Sequence, residues 1–198
     1  MALPSTRERI LAAATTAFGG QGYGATSLDD LAIGLGVTKQ TILYWFASKE
    51  ALLGAVLDAA GGELAGALER TLARHADIGG WPRIEAVVRT AFRVGARRPA
   101  LFGVLREADR LGPPASVRTL ERLSPLAERA TAWLRAEMDA GRLRRHDPDA
   151  VLLMGYSLVL ALVTDLETQT ALGAGVSMRA VVHRRRALER LLRTALEP

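Results

Sequence analysis

The sequence predicts an all-α fold of about nine helices. Three observations carry that prediction. No stretch of the 198 residues sustains period-two alternation of apolar and polar side chains. Apolar residues recur instead at i, i+3 or i+4, and i+7 almost throughout. Glycine- and proline-rich breaks at Gly19–Gly24, Gly79–Pro82, Leu111–Pro114 and Gly173–Gly175 cut these runs into helix-sized pieces.

Ser5 or Thr6 caps a first helix whose apolar face is Ile10, Ala13 or Ala14, Ala17 and Phe18. Gly19-Gly20-Gln21-Gly22-Tyr23-Gly24 stops it, with glycine supplying the positive φ of a C-cap. Thr26-Ser27 opens a second helix. Thr26 with Asp29 and Ser27 with Asp30 both have the spacing of a capping box, with Asp in place of Glu. Either acid suits the positive start of a helix. Leu28, Leu31, Ala32 and Leu35 face inward, and Leu35-Gly36-Val37 breaks the helix. Thr38 caps a third helix carrying Ile42, Leu43 and Phe46, and Ala47-Ser48 ends it. A fourth starts at Ser48-Lys49-Glu50-Ala51, buries Leu52, Leu53, Val56 and Leu57, and is weakened midway by Gly61-Gly62.

Composition then shifts to long Arg/Leu/Ala helices. One runs from about Arg83 to Arg97, stopped by Pro99, and a short one from Ala100 to Asp109. After Leu111-Gly112-Pro113-Pro114 a helix extends from about Ser116 to Ala140, with a bend expected at Pro125 and an end near Gly141. Asp147-Pro148 is a cap with proline at the first helical position, opening an apolar helix over 149–170. Gly173 and Gly175 break it, and Ser177 caps the last helix, 177–196.

Composition excludes several kinds of chemistry. Cysteine is absent, which removes disulfides, thiolate metal sites and a cysteine nucleophile. His75, His146 and His183 are scattered, and none has an i,i+4 partner for a metal, so no cofactor or metal is expected. Gly20-x-Gly22-x-Gly24 follows a helix and lacks the Gly-Lys-Ser/Thr of a phosphate loop. Gly155-Tyr156-Ser157 lacks the second glycine of a nucleophile elbow. These absences argue against an enzyme. The first five residues show no charged and apolar leader. The longest uncharged apolar run, Ala150–Thr164, is 15 residues, short of the ~20 that span a bilayer. Net charge is +5, and a basic chain hints at nucleic acid. The excess is unevenly placed, however. Residues 1–50 hold four bases (Arg7, Arg9, Lys39, Lys49) and four acids (Glu8, Asp29, Asp30, Glu50). Global charge therefore locates no DNA site, and local geometry must.

That geometry lies in Thr26–Phe46, which reads helix, glycine-containing turn, helix. Gly36 permits the sharp turn, while Leu31, Ala32, Val37 and Ile42 lock the pair. Lys39, Gln40, Thr41, Tyr44 and Trp45 then occupy faces not needed for packing. Lysine reaches guanine acceptors and glutamine binds adenine bidentately. Hydroxyls of Thr and Tyr suit phosphate oxygens, which set register. The helix start at Thr26-Ser27 is a phosphate seat, and Lys49 is placed to hold a flanking phosphate. Spacing alone leaves an ordinary helical hairpin with a solvated polar face as an equal alternative.

The residue string goes further. Phe18-x4-Tyr23-x2-Thr26-Ser27-x3-Leu31-Ala32, followed by Gly36-Val37-Thr38-Lys39-Gln40-Thr41-Ile42-Leu43-Tyr44-Trp45-Phe46-Ala47-Ser48-Lys49-Glu50-Ala51-Leu52, resembles the N-terminal DNA-binding domain of the TetR/AcrR family of bacterial regulators. The likeness covers about residues 6–55. It implies a three-helix helix-turn-helix DNA-binding domain over 1–50 and a helical ligand-binding and dimerisation domain over 51–198. By the same resemblance the protein is a cytoplasmic homodimer that represses transcription at a palindromic operator until a small molecule releases it. Thr26, Ser27, Thr38, Lys39, Gln40, Thr41, Tyr44, Trp45 and Lys49 would contact double-stranded DNA. Two departures stand out. Gln40 replaces a frequent glycine. Leu43 replaces a frequent tyrosine, so its phosphate contact is lost or passes to Tyr44.

Downstream the resemblance is one of architecture. Val151, Leu152, Met154, Leu158, Val159, Leu162 and Leu166 exceed one apolar stripe, so helix 149–170 needs partners on more than one side. Those partners lie within one protomer or in a second copy. The resemblance implies the second, through helices 149–170 and 177–196. An effector pocket is expected among Trp81, Phe92, Phe102, Arg106, Trp133, Met154 and Tyr156, because aromatic walls with few polar groups are usual.

Overall fold

The computed structural model describes residues 3–171, 173 and 177–198; at 166–168 and 178 it describes the backbone alone. Ten α-helices and no strand occur among the described residues. They are α1 (Thr6–Gly20), α2 (Leu28–Leu35), α3 (Lys39–Trp45), α4 (Lys49–Arg74), α5 (Trp81–Arg97), α6 (Pro99–Leu111), α7 (Ala115–Asp139), α8 (Pro148–Thr164), α9 (Leu166–Ala171) and α10 (Met178–Leu196). The chain forms two compact units, one of residues 1–62 and 99–122, the other of 63–98 and 123–198.

The caps explain most boundaries in the first unit. Ser5 forms a full capping box with Glu8, whose carboxylate accepts from the Ser5 backbone N–H at 2.7 Å. Ser27, not Thr26, caps α2, its hydroxyl oxygen accepting from the Asp30 N–H at 3.0 Å. Gly36 ends α2 at φ 66°, the left-handed conformation that glycine adopts at no steric cost. Thr38 caps α3 in turn, accepting from the Thr41 N–H.

A helix from the middle of the chain completes this unit. α6 packs on α1 so closely that a Cβ at Gly103 would overlap the Gly19 carbonyl oxygen, and one at Gly19 the Ala100 carbonyl oxygen. One helical turn beyond Gly103, the buried Glu107 accepts the Tyr23 backbone N–H at 2.7 Å and two bonds from the Arg110 guanidinium, each 2.7 Å. These bonds, Arg110 first, hold its carboxyl below the usual glutamate range against the opposing pull of burial.

α4 runs unbroken through Gly61-Gly62, where the sequence predicts weakening. Leu52, Val56, Leu57, Ala60 and Leu64 are buried along it, and burial on this scale outweighs the ~1 kcal/mol cost of a helical glycine. Gly54 and Gly61 also make room for Arg118 and Arg122, which both reach Asp58. By length and composition α4 is able to cross a bilayer, with mean hydropathy 1.4. Its buried leucines and the paired Asp58 mark it as a core helix.

In the second unit α5 packs on α8 and α10. α5 begins at Trp81, two residues before the predicted start, because Gly80 turns the chain at φ 63° and donates its N–H to buried Glu137 at 2.7 Å. Arg142 clamps the same carboxylate through Nε and Nη2. Gly95 lets α8 approach, since a Cβ there would strike the Val163 methyls. α7 is continuous through Pro125.

The single helix predicted over 149–170 is divided at Asp165 into α8 and α9, which accounts for the tenth helix. Asp165 leaves helical geometry (φ −86°, ψ 68°), and buried Gln169 donates to the Ala161 and Leu162 carbonyls. The amide thus reaches the Leu162 carbonyl at the helix end and adds a second bond to the Ala161 carbonyl, which already accepts the Asp165 N–H. The expected break at Gly175 lies outside the described residues, as does the Leu166 side chain.

Two glycines with different surroundings test this packing. Gly103→Ala should lower stability by about 1–3 kcal/mol, since overpacking forces the backbone to shift. Gly34→Ala, with nothing within 4 Å of its Cβ, should be neutral or raise stability by up to ~1 kcal/mol. Urea unfolding midpoints measure both. Glu107 supplies a pH signature. Its folded pKa lies below its unfolded value, so its contribution is present above the unfolded pKa and lost as pH falls through the folded one. Glu107→Gln should therefore be less stable than wild type at neutral pH and show a shallower loss of stability on acidification below about pH 4.5.

Candidate nucleic-acid interface

α3 is only seven residues long, and one side chain fixes it. Ile42 is fully buried, and Phe46, just past the helix end, is buried too. Thr38 holds the other end as N-cap. The remaining faces point to solvent. Lys39, Gln40, Leu43, Tyr44 and Trp45 are exposed, with Tyr44 at 80%, and Thr41 is half-buried. Tyr44 and Trp45 meet edge to face at 5.2 Å between ring centres, which stiffens a projecting aromatic pair. The short helix therefore presents a polar and aromatic surface anchored by apolar groups on its inner side.

The remaining sequence-predicted contacts fall in different settings. Ser27 is half-buried and engaged at the start of α2, its hydroxyl donating to Asp30 Oδ2 at 2.6 Å. Thr26 is buried, and its hydroxyl donates to the Gly22 carbonyl at 2.9 Å. That side chain shapes the α1–α2 loop. Lys49 stands at the start of α4 with its ammonium 4.2 Å from the centre of the Tyr23 ring. The Tyr23 hydroxyl donates to Glu50 at 2.9 Å. Burial first, and then the Glu50 contact, push the Tyr23 phenol up to about 12, so it stays a neutral donor. The aromatic loop residue thus holds the first turn of α4 in place.

Sequence reasoning missed two features of this face. Ile33 on α2 is 79% exposed. Asp29, read only as a helix-start acid, reaches across the turn to Lys39, Oδ2 to Nζ 2.9 Å. The available signal was the pair of adjacent acids, because one cap needs only one of them.

The residues expected to form an effector pocket are divided between the two units. Phe102 is buried and Arg106 exposed in the first. In the second, Phe92 is buried, Tyr156 half-buried and Met154 54% exposed. Trp133 lies under the Arg83 guanidinium at 4.9 Å and packs against the cluster of Leu134, Met138, Leu143 and Leu196. Trp81 lines a cavity of about 160 Å³ with Glu85, Arg186 and Arg190, smaller than the ~300 Å³ of ordinary ligand sites. On the second unit's surface, α8 exposes Leu153, Met154 and Leu158, and α10 exposes Leu191.

Comparison with known proteins bears on this surface. The family model for bacterial regulatory proteins of the tetR family matches residues 10–56. No curated protein sequence matches the chain. Among solved structures, the TetR-family transcriptional regulator PfmR from Thermus thermophilus is 25% identical, with TM-score 0.77, covering 99% of this chain and 100% of its own. A transcriptional regulator from Saccharomonospora viridis in complex with choline is 21% identical, with TM-score 0.74 and 97% of each chain covered. AibR, solved with isovaleryl coenzyme A and operator DNA, is 22% identical, with TM-score 0.66, covering 79% of this chain and 86% of its own.

Proposed function

We propose that this chain, whose residues 10–56 match the family model for bacterial regulatory proteins of the tetR family, is a DNA-binding transcriptional regulator rather than an enzyme, and that it works as a cytoplasmic homodimeric repressor. In this reading it binds a palindromic operator and a small molecule releases it. The observation that carries the reading is the outward face of α3: six of its seven side chains are at least partly accessible, and only Ile42 is buried. Residues 1–50 act as the reading head, and 51–198 bind effector and partner.

On this reading α3 lies in the major groove. Lys39 and Gln40 read base edges, while Thr38, Thr41 and Tyr44 hold phosphates on either side. Tyr44 replaces the phosphate contact that Leu43 has no hydroxyl to make. Trp45 packs on the sugar-phosphate edge, Lys49 holds a flanking phosphate, and Ser27 brings the start of α2 to the backbone. Thr26 acts indirectly, by shaping the loop before α2.

A seven-residue helix reads few base pairs. A two-fold dimer doubles that number and suits half-sites roughly 34–36 Å apart or a multiple. The apolar faces of α8 and α10 support such a dimer, because Leu153, Met154, Leu158 and Leu191 leave an accessible patch that a second copy would cover. AibR bound to both an acyl-coenzyme A and operator DNA, and the choline complex, support a small-molecule effector. Release follows if the effector favours a dimer whose reading heads are wrongly spaced. Its differential affinity, typically ~1–3 kcal/mol, sets the loss of DNA binding.

Duplexes selected from a random library, followed by fluorescence anisotropy, test the reading. The selected sequences should be palindromic, and affinity should fall steeply with salt. Lys39→Ala and Gln40→Ala should relax base preference at single positions, each by about 1–3 kcal/mol of discrimination. Lys49→Ala should weaken all sequences alike and flatten the salt slope by about 1. A protein that stays monomeric at micromolar concentration, or that keeps its operator in the presence of every metabolite extract, would contradict the dimer and the release respectively.

A further inference from the structure

The four cations of residues 1–50 share a property unusual for a nucleic-acid surface: each already has an internal partner. The Arg7 guanidinium lies 5.3 Å from the centre of the Phe46 ring. Arg9 donates to the Leu35 carbonyl at 2.9 Å. Lys49 sits over Tyr23. Lys39 pairs with Asp29. The first three cations contact rings or a carbonyl and keep their charge uncompensated by that contact. Only Lys39, on the helix that faces outward, is neutralised by a carboxylate.

Asp29 does not cap its own helix. The cap of α2 is made by Ser27 with Asp30, through a backbone N–H and a carboxylate bond. Asp29 precedes Asp30 in the first turn, and its Oδ2 crosses to Nζ of the first residue of α3. The pair is 43% and 63% exposed, so it is weak in stability terms. Its geometry matters more. An ammonium has three donors. One is used by Asp29, and the flexible four-carbon stem is thereby held in one direction, with two donors left for a ligand.

We propose that Asp29 is a specificity-determining residue: it positions Lys39 for a base edge and withholds it from arbitrary phosphates. The proposal rests on the reading of α3 as the groove-entering helix. A guanine offers O6 and N7 as adjacent acceptors at a fixed place in the groove. A lysine already aimed there keeps its bond to Asp29 and adds the base. Phosphates on an unselected duplex lie elsewhere. To reach them Lys39 must leave Asp29, and the carboxylate left behind repels the same backbone. Non-specific binding is electrostatic, so the pair lowers it while leaving the selected contact intact.

The experiment is a double-mutant cycle read on DNA. Wild type, Asp29→Asn, Lys39→Gln and the double variant are titrated by anisotropy against the selected operator and against an unselected duplex of equal length, over a range of salt. Thermal melts confirm that each variant is folded. For Asp29→Asn the unselected duplex should bind about three- to five-fold tighter, with a salt slope steeper by about 1. Operator affinity should stay level or fall, and base preference at the position read by Lys39 should relax. In the Lys39→Gln background the same substitution should leave base preference unchanged. Equal tightening on both duplexes would reduce Asp29 to a general charge and overturn the proposal, as would the full effect persisting without Lys39 or no effect at all. A wild-type protein that binds no duplex would instead overturn the DNA-binding reading itself.

Discussion

The contact on which the rest of the first compact unit depends is a crossing of two backbones. α1 and α6 approach so closely that neither Gly19 nor Gly103 has room for a β-carbon. Interiors are packed like crystals, so a contact of this kind fixes position to a fraction of an ångström. It delivers Glu107 to the loop after α1, where it accepts the N–H of a residue 84 positions earlier in the chain. That residue is Tyr23, whose ring then carries Lys49 and whose hydroxyl meets Glu50. A segment from mid-chain thus sets the loop leading into α2 and the first turn of α4. Any movement of α6 bears directly on the elements that flank α3.

What was legible in the sequence was local. Ser5, Ser27, Thr38, Asp147 and Ser177 each cap a helix as their side chains and neighbours dictate, and Gly36 makes the turn that only a left-handed residue allows. The outward set on α3 was legible for the same reason, because a helix that must bury Ile42 has no choice about where Lys39 and Tyr44 point. The missing parts were long-range. Nothing in the run Gly19-Gly20-Gln21-Gly22 says that its first glycine serves a helix crossing rather than a turn. Gly61-Gly62 reads as a break until Arg122 is seen crossing Gly61. The stop at Asp165 goes with Gln169 folding back onto the Ala161 and Leu162 carbonyls of the last turn. Thr26 and Ser27 are equal candidates by spacing. Tertiary burial of Thr26 selects Ser27 as the cap.

A surface that reads DNA faces two demands that oppose each other. Charge draws any duplex, and so brings the protein to DNA without telling it where to stop. Residues 1–50 answer with balanced charge, four bases against four acids, and with cations tied to partners of their own. The segment carries no net charge, and the lysine of the outward helix is paired with a carboxylate, so little net attraction is left for an arbitrary duplex. What projects freely is Gln40, with a directional amide, and the aromatic pair Tyr44 and Trp45, which gain by shape and contact. Such a head binds weakly wherever its shape is not matched. Weakness in one head is tolerable only if two act together, because the free energies of two linked contacts add while a chance half-match contributes once. On the proposed reading the balanced charge of α1–α3 therefore favours a dimer, for which the exposed apolar side chains of α8 and α10 offer a surface.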